Sequence, residues 1–351
     1  QTIMLGFSDG TKDGGYLTAN WSILKAKESL TKVSRKFGIK VLFFDGRGGP
    51  PARGGGNTHQ FYSSLGDFIE SDEIQLTVQG QTISSNFGTI KSSQYNMEQL
   101  ITSGLKNRIL SNSEVFNKKN RKTIEKLSSI SYNSYKDFKS HPSFIPYLEK
   151  MSTIKYYSKT NIGSRPSKRG LKGEAFNFDK LRAIPFVGSW NQLKQNVPGF
   201  YGLGTSINYF YKNNKIKDVK LLYQEVPFFR ALVSNSMMSL TKSFFELTSY
   251  MSKDEEFGEF WKIIHDEYIL TKKMLLKISN FNELMENEPA NKLSIQTREN
   301  VVMPLITIQQ YALQIVKEIE SGDLDDKKIS VFEKIITRSL YGNINASRNS
   351  A

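Results

Sequence analysis

Twice within its first 60 residues the chain runs from a short apolar segment straight into a glycine-rich turn. Residues 3–7 read as a strand and residues 8–15 as the loop that follows it. Residues 16–37 then carry helical spacing, with Leu17, Trp21, Leu24, Leu30, Val33 and Phe37 near one face. Gly38 stops that helix, as glycine does at a helix C-terminus. Residues 39–44 form the next strand. A strand, a glycine-rich loop, a helix and a second strand in this order restrict the fold to a parallel sheet or barrel wrapped by helices. Residues 74–78 and 183–187 are further strand candidates.

Beyond about residue 219 the periodicity becomes helical. Phe257, Phe260, Trp261, Ile264, Tyr268 and Leu275 keep one face. So do Leu305, Ile308, Tyr311, Ala312, Ile315, Val316 and Ile319, with Gly322 after them and Pro304 expected to kink or bound the helix. These stripes read as core. The lysine-rich run at 117–126 reads as an exposed helix start or loop. The chain's 351 residues allow one large domain or two ordinary ones. With 38% hydrophobic and 12% aromatic residues it is too apolar for a disordered chain. No stretch supplies the ~18 apolar residues of a membrane span. The absence of cysteine excludes disulfides, thiolate metal sites and thiol nucleophiles, and fits a reducing, cytoplasmic setting. The chain opens on Gln1 with no signal-peptide pattern, and is expected to be a piece of something longer.

The most informative stretch follows the second strand: Asp45-Gly46-Arg47-Gly48-Gly49-Pro50-Pro51-Ala52-Arg53-Gly54-Gly55-Gly56. Its glycines let a backbone approach a ligand closely. Its two arginines offer planar, bidentate donors to phosphate or carboxylate. The glycine spacing matches neither the Walker loop nor the dinucleotide fingerprint. An anion-binding active-site loop is the favoured reading; an ordinary flexible loop and an RNA-binding arginine–glycine segment stay open beside it. Asp9 and Lys12 fall in the loop after the first strand, where barrel enzymes place their active sites and an aspartate can hold Mg²⁺. The other reading is a turn aspartate with a surface lysine. Residues 163–169 form a basic turn containing Arg165, and Arg182 precedes an apolar run. Four arginines beside turns and strand ends, rather than on helix faces, point to an anionic substrate. The three histidines, His59, His141 and His265, lack zinc spacing, and no serine nucleophile elbow is present.

The 48 Lys+Arg against 34 Asp+Glu leave a net charge of +14, which fits an anionic partner or simply a solvated lysine-rich surface. A nucleic-acid-binding protein is the rival from another class. The stretch from Gly46 to Gly56 contains none of the interleaved aromatic residues that base stacking needs.

At these residues the chain closely resembles the C-terminal part of phosphoenolpyruvate carboxylase. The resemblance is carried by Met4-Leu5-Gly6-Phe7-Ser8-Asp9 with Lys12-Asp13, by Phe44-Asp45-Gly46-Arg47-Gly48-Gly49 with Arg53-Gly54-Gly55, by Gly163-Ser164-Arg165-Pro166 with Lys168-Arg169, and by Leu181-Arg182-Ala183-Ile184-Pro185 with Trp190 and Gln192. It reaches the terminal Arg348-Asn349-Ser350-Ala351. The resemblance implies an α/β chain with predominant helix: the last portion of a (β/α) barrel over residues 1–200, then a helical region over 201–351. It implies a carboxy-lyase of anaplerotic carbon dioxide fixation, joining bicarbonate to phosphoenolpyruvate with Mg²⁺ or Mn²⁺. Asp9 would be a metal ligand, and Lys12, Arg47, Arg53, Arg165 and Arg182 the catalytic cations. The loop glycines Gly46, Gly48, Gly49, Gly54 and Gly55 would let the loop move. An aspartate or malate inhibitor would bind Arg53, Lys242, Arg298 and Asn349. The complete enzyme would be a cytoplasmic homotetramer with no nucleic-acid or membrane partner.

Several residues depart from the family pattern. Asp45 stands where histidine is usual, and is expected to pair with an arginine such as Arg47 or with the metal. Pro50-Pro51 replaces a more flexible stretch, and residues 77–81 lack the usual acidic residue. The family's catalytic histidine and second metal carboxylate belong to upstream sequence, so the chain alone is expected to be inactive or very weak. A non-catalytic anion or aspartate sensor is the alternative.

Overall fold

A computed structural model of the chain describes residues 1–78, 81–110, 116–160, 178–320, 322 and 326–347. Three parallel strands lie side by side in the order β1 (Thr2–Leu5), β2 (Leu42–Asp45), β3 (Ile74–Leu76). Leu5 pairs with Asp45 and Asp45 with Leu76, so the strands end level and the turns after them open along one edge. Helices α1 (Phe7–Gly14) and α2 (Tyr16–Lys36) link β1 to β2. The 3-10 turn Pro51–Arg53 and helix α3 (Thr58–Tyr62) lead from β2 to β3.

The described residues after β3 build helices α4 (Gln81–Phe87), α5 (Ile90–Leu110), α6 (Lys118–Lys139), α7 (Phe144–Met151) and α8 (Ala183–Gln192). They continue with α9 (Leu203–Lys212), α10 (Ile216–Glu225), α11 (Pro227–Thr241), α12 (Gly258–Ser279), α13 (Pro289–Glu320) and α14 (Asp326–Ser347). Short 3-10 turns stand at Ile154–Lys159, Val197–Gly199 and Phe245–Lys253. The mostly helical α/β composition expected from the sequence is what the structure shows. Among the described residues its sheet is a three-stranded arc, not a closed barrel. No helix of the described residues is long and apolar enough to cross a membrane.

Several sequence expectations are corrected. The loop expected at 8–15 is helix α1, and β1 ends at Leu5 rather than at residue 7. Its Gly-, Ser- and Asp-rich composition disfavours helix locally, but tertiary packing supplies what propensity lacks. Phe7 is wholly buried, the Thr11 hydroxyl donates to the Phe7 carbonyl at 2.8 Å, and Gly10 of α1 faces Ala19 of α2. The strand expected at 183–187 is the start of α8. Pro185 falls in its first turn, where proline is tolerated, and Phe186 and Trp190 are fully buried. A short apolar run of this kind cannot be assigned by periodicity alone.

Along α2 the expected face is right at Leu17, Trp21 and Leu24, but Val33 and Phe37 are exposed. Helix α13 continues through Pro304 rather than stopping there. Its buried stripe is Val302, Ile306, Gln309, Leu313 and Val316 with Gln310 and Ala312; the expected Ile308 and Tyr311 face outward. Asn117 caps α6 by accepting the Asn120 amide on its Oδ1 at 2.8 Å, which agrees with a helix start in the lysine-rich run.

One core cluster joins the sheet to the later helices, from Phe7 and Trp21 through Phe61 to Phe228 and Ile295. A second gathers Phe138, Phe144, Tyr147, Trp190, Tyr201 and Phe260 behind α8. A third packs Tyr156 and Tyr157 against α13 and α14. In the second cluster the Phe138 ring stacks on Tyr201 at 4.2 Å and on Phe260 at 5.2 Å. Phe138→Ala is expected to lower stability by about 3–5 kcal/mol, read as a shifted urea midpoint at unchanged slope; a loss below 1 kcal/mol would remove Phe138 from the centre of that core.

Candidate anion-binding site

The level ends of β1 and β2 define the site. Asp45 closes β2, and the next eleven residues fold back on themselves rather than extend. The Gly46 amide donates to the Leu5 carbonyl at 2.9 Å, tying the loop's start to β1. The Arg53 and Gly55 amides both donate to the Pro50 carbonyl, at 3.0 and 2.9 Å. The Gly54 amide reaches the Pro51 carbonyl, the Gly56 amide reaches the Gly49 carbonyl, and the Gly48 amide faces the Arg53 carbonyl at 3.4 Å. Gly55 is demanded by packing: a Cβ there would lie 2.0 Å from the Gly48 carbonyl oxygen. Gly56 holds φ +104° with Asn235 where its side chain would go. Asn235 of α11 takes the Asn57 amide on its Oδ1 at 3.0 Å and donates to the Tyr16 hydroxyl at 2.9 Å, clamping the loop's end to α2. Burial pushes the Tyr16 hydroxyl up to about 12 despite the nearby Arg47 charge.

Asp45 does not meet Arg47 or open on a metal position, as the sequence suggested. Its carboxylate is wholly buried, with Oδ2 2.6 Å from the Lys27 ammonium and 2.7 Å from the Tyr62 hydroxyl. The reason is geometric: Lys27 of α2 lies directly behind β2, its ammonium 5.1 Å from the Phe43 ring centre. Burial lowers the Lys27 pKa, the Asp45 charge opposing it; burial and the carboxylate raise that of Tyr62. Lys27 escaped the sequence reading although its position could have revealed it. Leu17, Asn20, Leu24, Lys27 and Thr31 form the buried stripe of α2 at helical spacing, so a lysine stands on an apolar face.

Arg47 also turns inward. Its guanidinium donates to the Thr58 hydroxyl at 3.2 Å and the Gly55 carbonyl at 3.0 Å, and lies 4.4 Å from the Phe61 ring centre. Burial lowers its pKa. In this conformation it is a strut beneath the loop.

The remaining candidates converge from three elements packed on one another: α1, the turn Pro51–Arg53, and α8. Arg53 is 3% exposed. Burial brings its guanidinium down to about 10, with the Asp9 charge the leading opposing influence. Asp9 itself is exposed in the first turn of α1, where the helix N-terminus favours an anion. The Ser8 hydroxyl donates to the Arg53 carbonyl at 3.1 Å. Lys12, in the last turn of α1, is buried; its ammonium is 3.0 Å from the Asp13 carboxylate and 4.3 Å from the Phe178 ring centre. Arg182 occupies the N-cap of α8, and its buried Nε has no hydrogen-bond partner among the described residues. Arg165 and the basic turn lie outside the described residues.

A second cationic group stands behind this wall. Lys242 ends α11, half-buried, and its pKa falls to about 8 through burial first and then the charges of Arg298 and Lys194. The buried Lys194 ammonium is held by both Glu299 oxygens, at 2.6 and 2.7 Å. Arg298 reaches the Ser347 carbonyl near the end of α14, at 3.4 Å. The structure thus joins Lys242 and Arg298; Asn349 lies outside the described residues. The turn carrying Arg53 packs on both α8 and α11, the helix that Lys242 follows.

Among the described residues no group of three His, Cys, Asp or Glu side chains is placed to hold a metal ion. Asp9 is one carboxylate, short of the several oxygen ligands that Mg²⁺ takes, so these residues alone do not make a metal centre. Two of the three histidines make structural contacts: His265 stacks on Trp261 at 5.0 Å, and His141 accepts the Ser143 amide through Nδ1.

The sequence model of the family described as phosphoenolpyruvate carboxylase matches residues 1–346. Lys27→Met, which leaves Asp45 buried and unpaired, is expected to cost about 3–5 kcal/mol. Lys27→Met combined with Asp45→Leu should recover most of that loss in urea denaturation; a double variant as unstable as the single would show that the pair is not what holds β2 to α2.

Proposed function

Because the chain belongs to the phosphoenolpyruvate carboxylase family, we propose that it supplies the phosphate- and carboxylate-binding side of a site that joins bicarbonate to phosphoenolpyruvate, giving oxaloacetate and phosphate. One observation carries the reading: Lys12, Arg53 and Arg182 are borne by three mutually packed elements at the end of the sheet. In such a reaction bicarbonate attacks phosphorus, the enolate of pyruvate departs, and carbon dioxide released from carboxyphosphate is captured by the enolate carbon. Every participant but carbon dioxide is an anion. Cations fixed in a water-poor setting stabilise the transferring phosphoryl group and the enolate more than the same charges in water.

Arg182 and Arg165 would hold phosphoryl or carboxyphosphate oxygens, and Lys12 the enolate side. Arg53 would cover the intermediate, and Arg47 would reach it only if the loop lifts. A divalent ion, Mg²⁺ or Mn²⁺, would add charge to the same anions when bound; Asp9 would give it one ligand. The barrel of which residues 1–200 would form the last portion, the helical region at 201–351, a homotetramer and a cytoplasmic setting belong to this proposal.

With a single carboxylate at the site, the purified chain is expected to bind phosphoenolpyruvate but to form oxaloacetate slowly or not at all. Calorimetry and a coupled oxaloacetate assay read the two halves. Absence of binding would sink the proposed site, and steady turnover would show that the metal donors are complete within the chain.

A second, non-catalytic reading is favoured by the cationic group at Lys242 and Arg298, which forms within the described chain while a metal centre does not. Aspartate or malate would bind there, with Arg53 and Asn349 as further contacts, and draw the loop away from substrate. Lys242 is protonated below about 8 and neutral above it. Malate affinity is therefore expected to fall as the pH rises from 7 to 9, in calorimetric titrations at the two values; equal affinities would exclude Lys242 from the site.

A further inference from the structure

Tyr157 lies in the turn Ile154–Lys159 and belongs to the core cluster that also holds Ala312, Leu313 and Val316. It is 3% exposed, and its hydroxyl has no hydrogen-bond partner among the described residues. A buried hydroxyl left without a partner is destabilising, and phenylalanine would pack the same space without that penalty. The hydroxyl also dictates a glycine elsewhere. A Cβ on Gly188 would lie 1.9 Å from it, so the second turn of α8 forgoes a side chain to admit the phenol. Two unfavourable choices therefore meet at one atom.

One candidate cation, Arg53, stands near that atom. Arg53, on the turn packed against α8, is close enough for its charge to act on the phenol, while burial pushes the phenol's pKa up so that the proton stays on. Six residues before Gly188, about 9 Å along the helix axis, Arg182 holds its own buried Nε without an acceptor. Two buried donor atoms at α8, the Tyr157 hydroxyl against Gly188 and the Arg182 Nε at the N-cap, thus have no acceptor among the described residues. An oxyanion is the kind of ligand that accepts from such donors.

We propose that the Tyr157 hydroxyl donates a hydrogen bond to an oxyanion held beside Arg53 and orients it against the α8 wall. This rests on the anion site proposed above and adds to it a residue that is neither charged nor on a strand-end loop. The proposed donor keeps its proton through neutral pH and so selects for acceptor oxygens.

The test is calorimetric titration of the full chain, its Tyr157→Phe variant and its Arg182→Ala variant with phosphoenolpyruvate, and separately with inorganic phosphate. Ligand-free melting temperatures are measured alongside. The expected result is binding by the wild type, loss with Arg182→Ala, and about tenfold weaker binding with Tyr157→Phe, roughly the 1.4 kcal/mol of one factor of ten, at a melting temperature equal to or above that of the wild type. Weakening with phosphoenolpyruvate alone would place the bond on the carboxylate; weakening with both probes would place it on the phosphoryl group. Either outcome supports the proposal. Wild-type affinity in Tyr157→Phe overturns it while leaving the anion site standing. Weaker binding together with a lowered melting temperature marks the hydroxyl as structural and also overturns it. A wild-type chain that binds neither probe removes the anion site itself.

Discussion

A lysine and an aspartate, each about 1% exposed, meet at 2.6 Å behind the end of β2. Removed from water, neither charge is tolerable alone, so α2 and β2 are tied to one another at that point. Tyr62 adds a hydrogen bond to the same carboxylate oxygen and brings the end of α3 into the arrangement. Everything beyond Asp45 hangs from this anchor, because the loop begins at the next residue. The pair also fixes where the Asp45 charge goes: it is directed inward, onto Lys27.

The loop above the anchor is held along its length. Arg47 props it from below through Thr58 and Gly55, the Pro50 carbonyl draws two amides inward, and Asn235 fastens the far end to Tyr16. Between these ties the turn Pro51–Arg53 rests on α1, α8 and α11 at once. Arg53 therefore sits on a turn that packs against the helices bearing Lys12 and Arg182 and against the helix that Lys242 follows. In the second group Glu299 holds the Lys194 ammonium, and burial, with the Arg298 and Lys194 charges adding to it, brings Lys242 down to about 8. A half-buried surplus of charge of this kind draws small anions more strongly than an exposed lysine does.

The candidates were legible from local chemistry. Asp9, Lys12, Arg47 and Arg53 drew notice because glycine-rich turns after apolar runs announce themselves in short windows, and Arg182 because it stands before an apolar run. Lys27, Tyr62, Asn235 and Tyr157 were not, since each acquires its role from a partner far along the chain: Lys27 meets Asp45 across a whole helix, and Asn235 meets Asn57 across 178 residues. The inward turn of Arg47 was equally invisible, because a guanidinium in a loop looks the same from the sequence whether it faces a ligand or the Phe61 ring.

The order of side chains alone determined the parallel β–α–β opening, the long α2 and α12 helices, and the glycine loop at a strand end, all of which follow from spacing and from backbone sterics within a few residues. Only the folded chain decided that residues 7–14 coil instead of looping and that residues 183–192 form a helix instead of a strand. There the local preference is weak or ambiguous, and the outcome belongs to burial against Ala19, Phe144 and Tyr147, neighbours that proximity along the chain does not reveal. The direction of each charge was decided the same way: a buried ion takes whatever counterion the packing brings within about 3 Å.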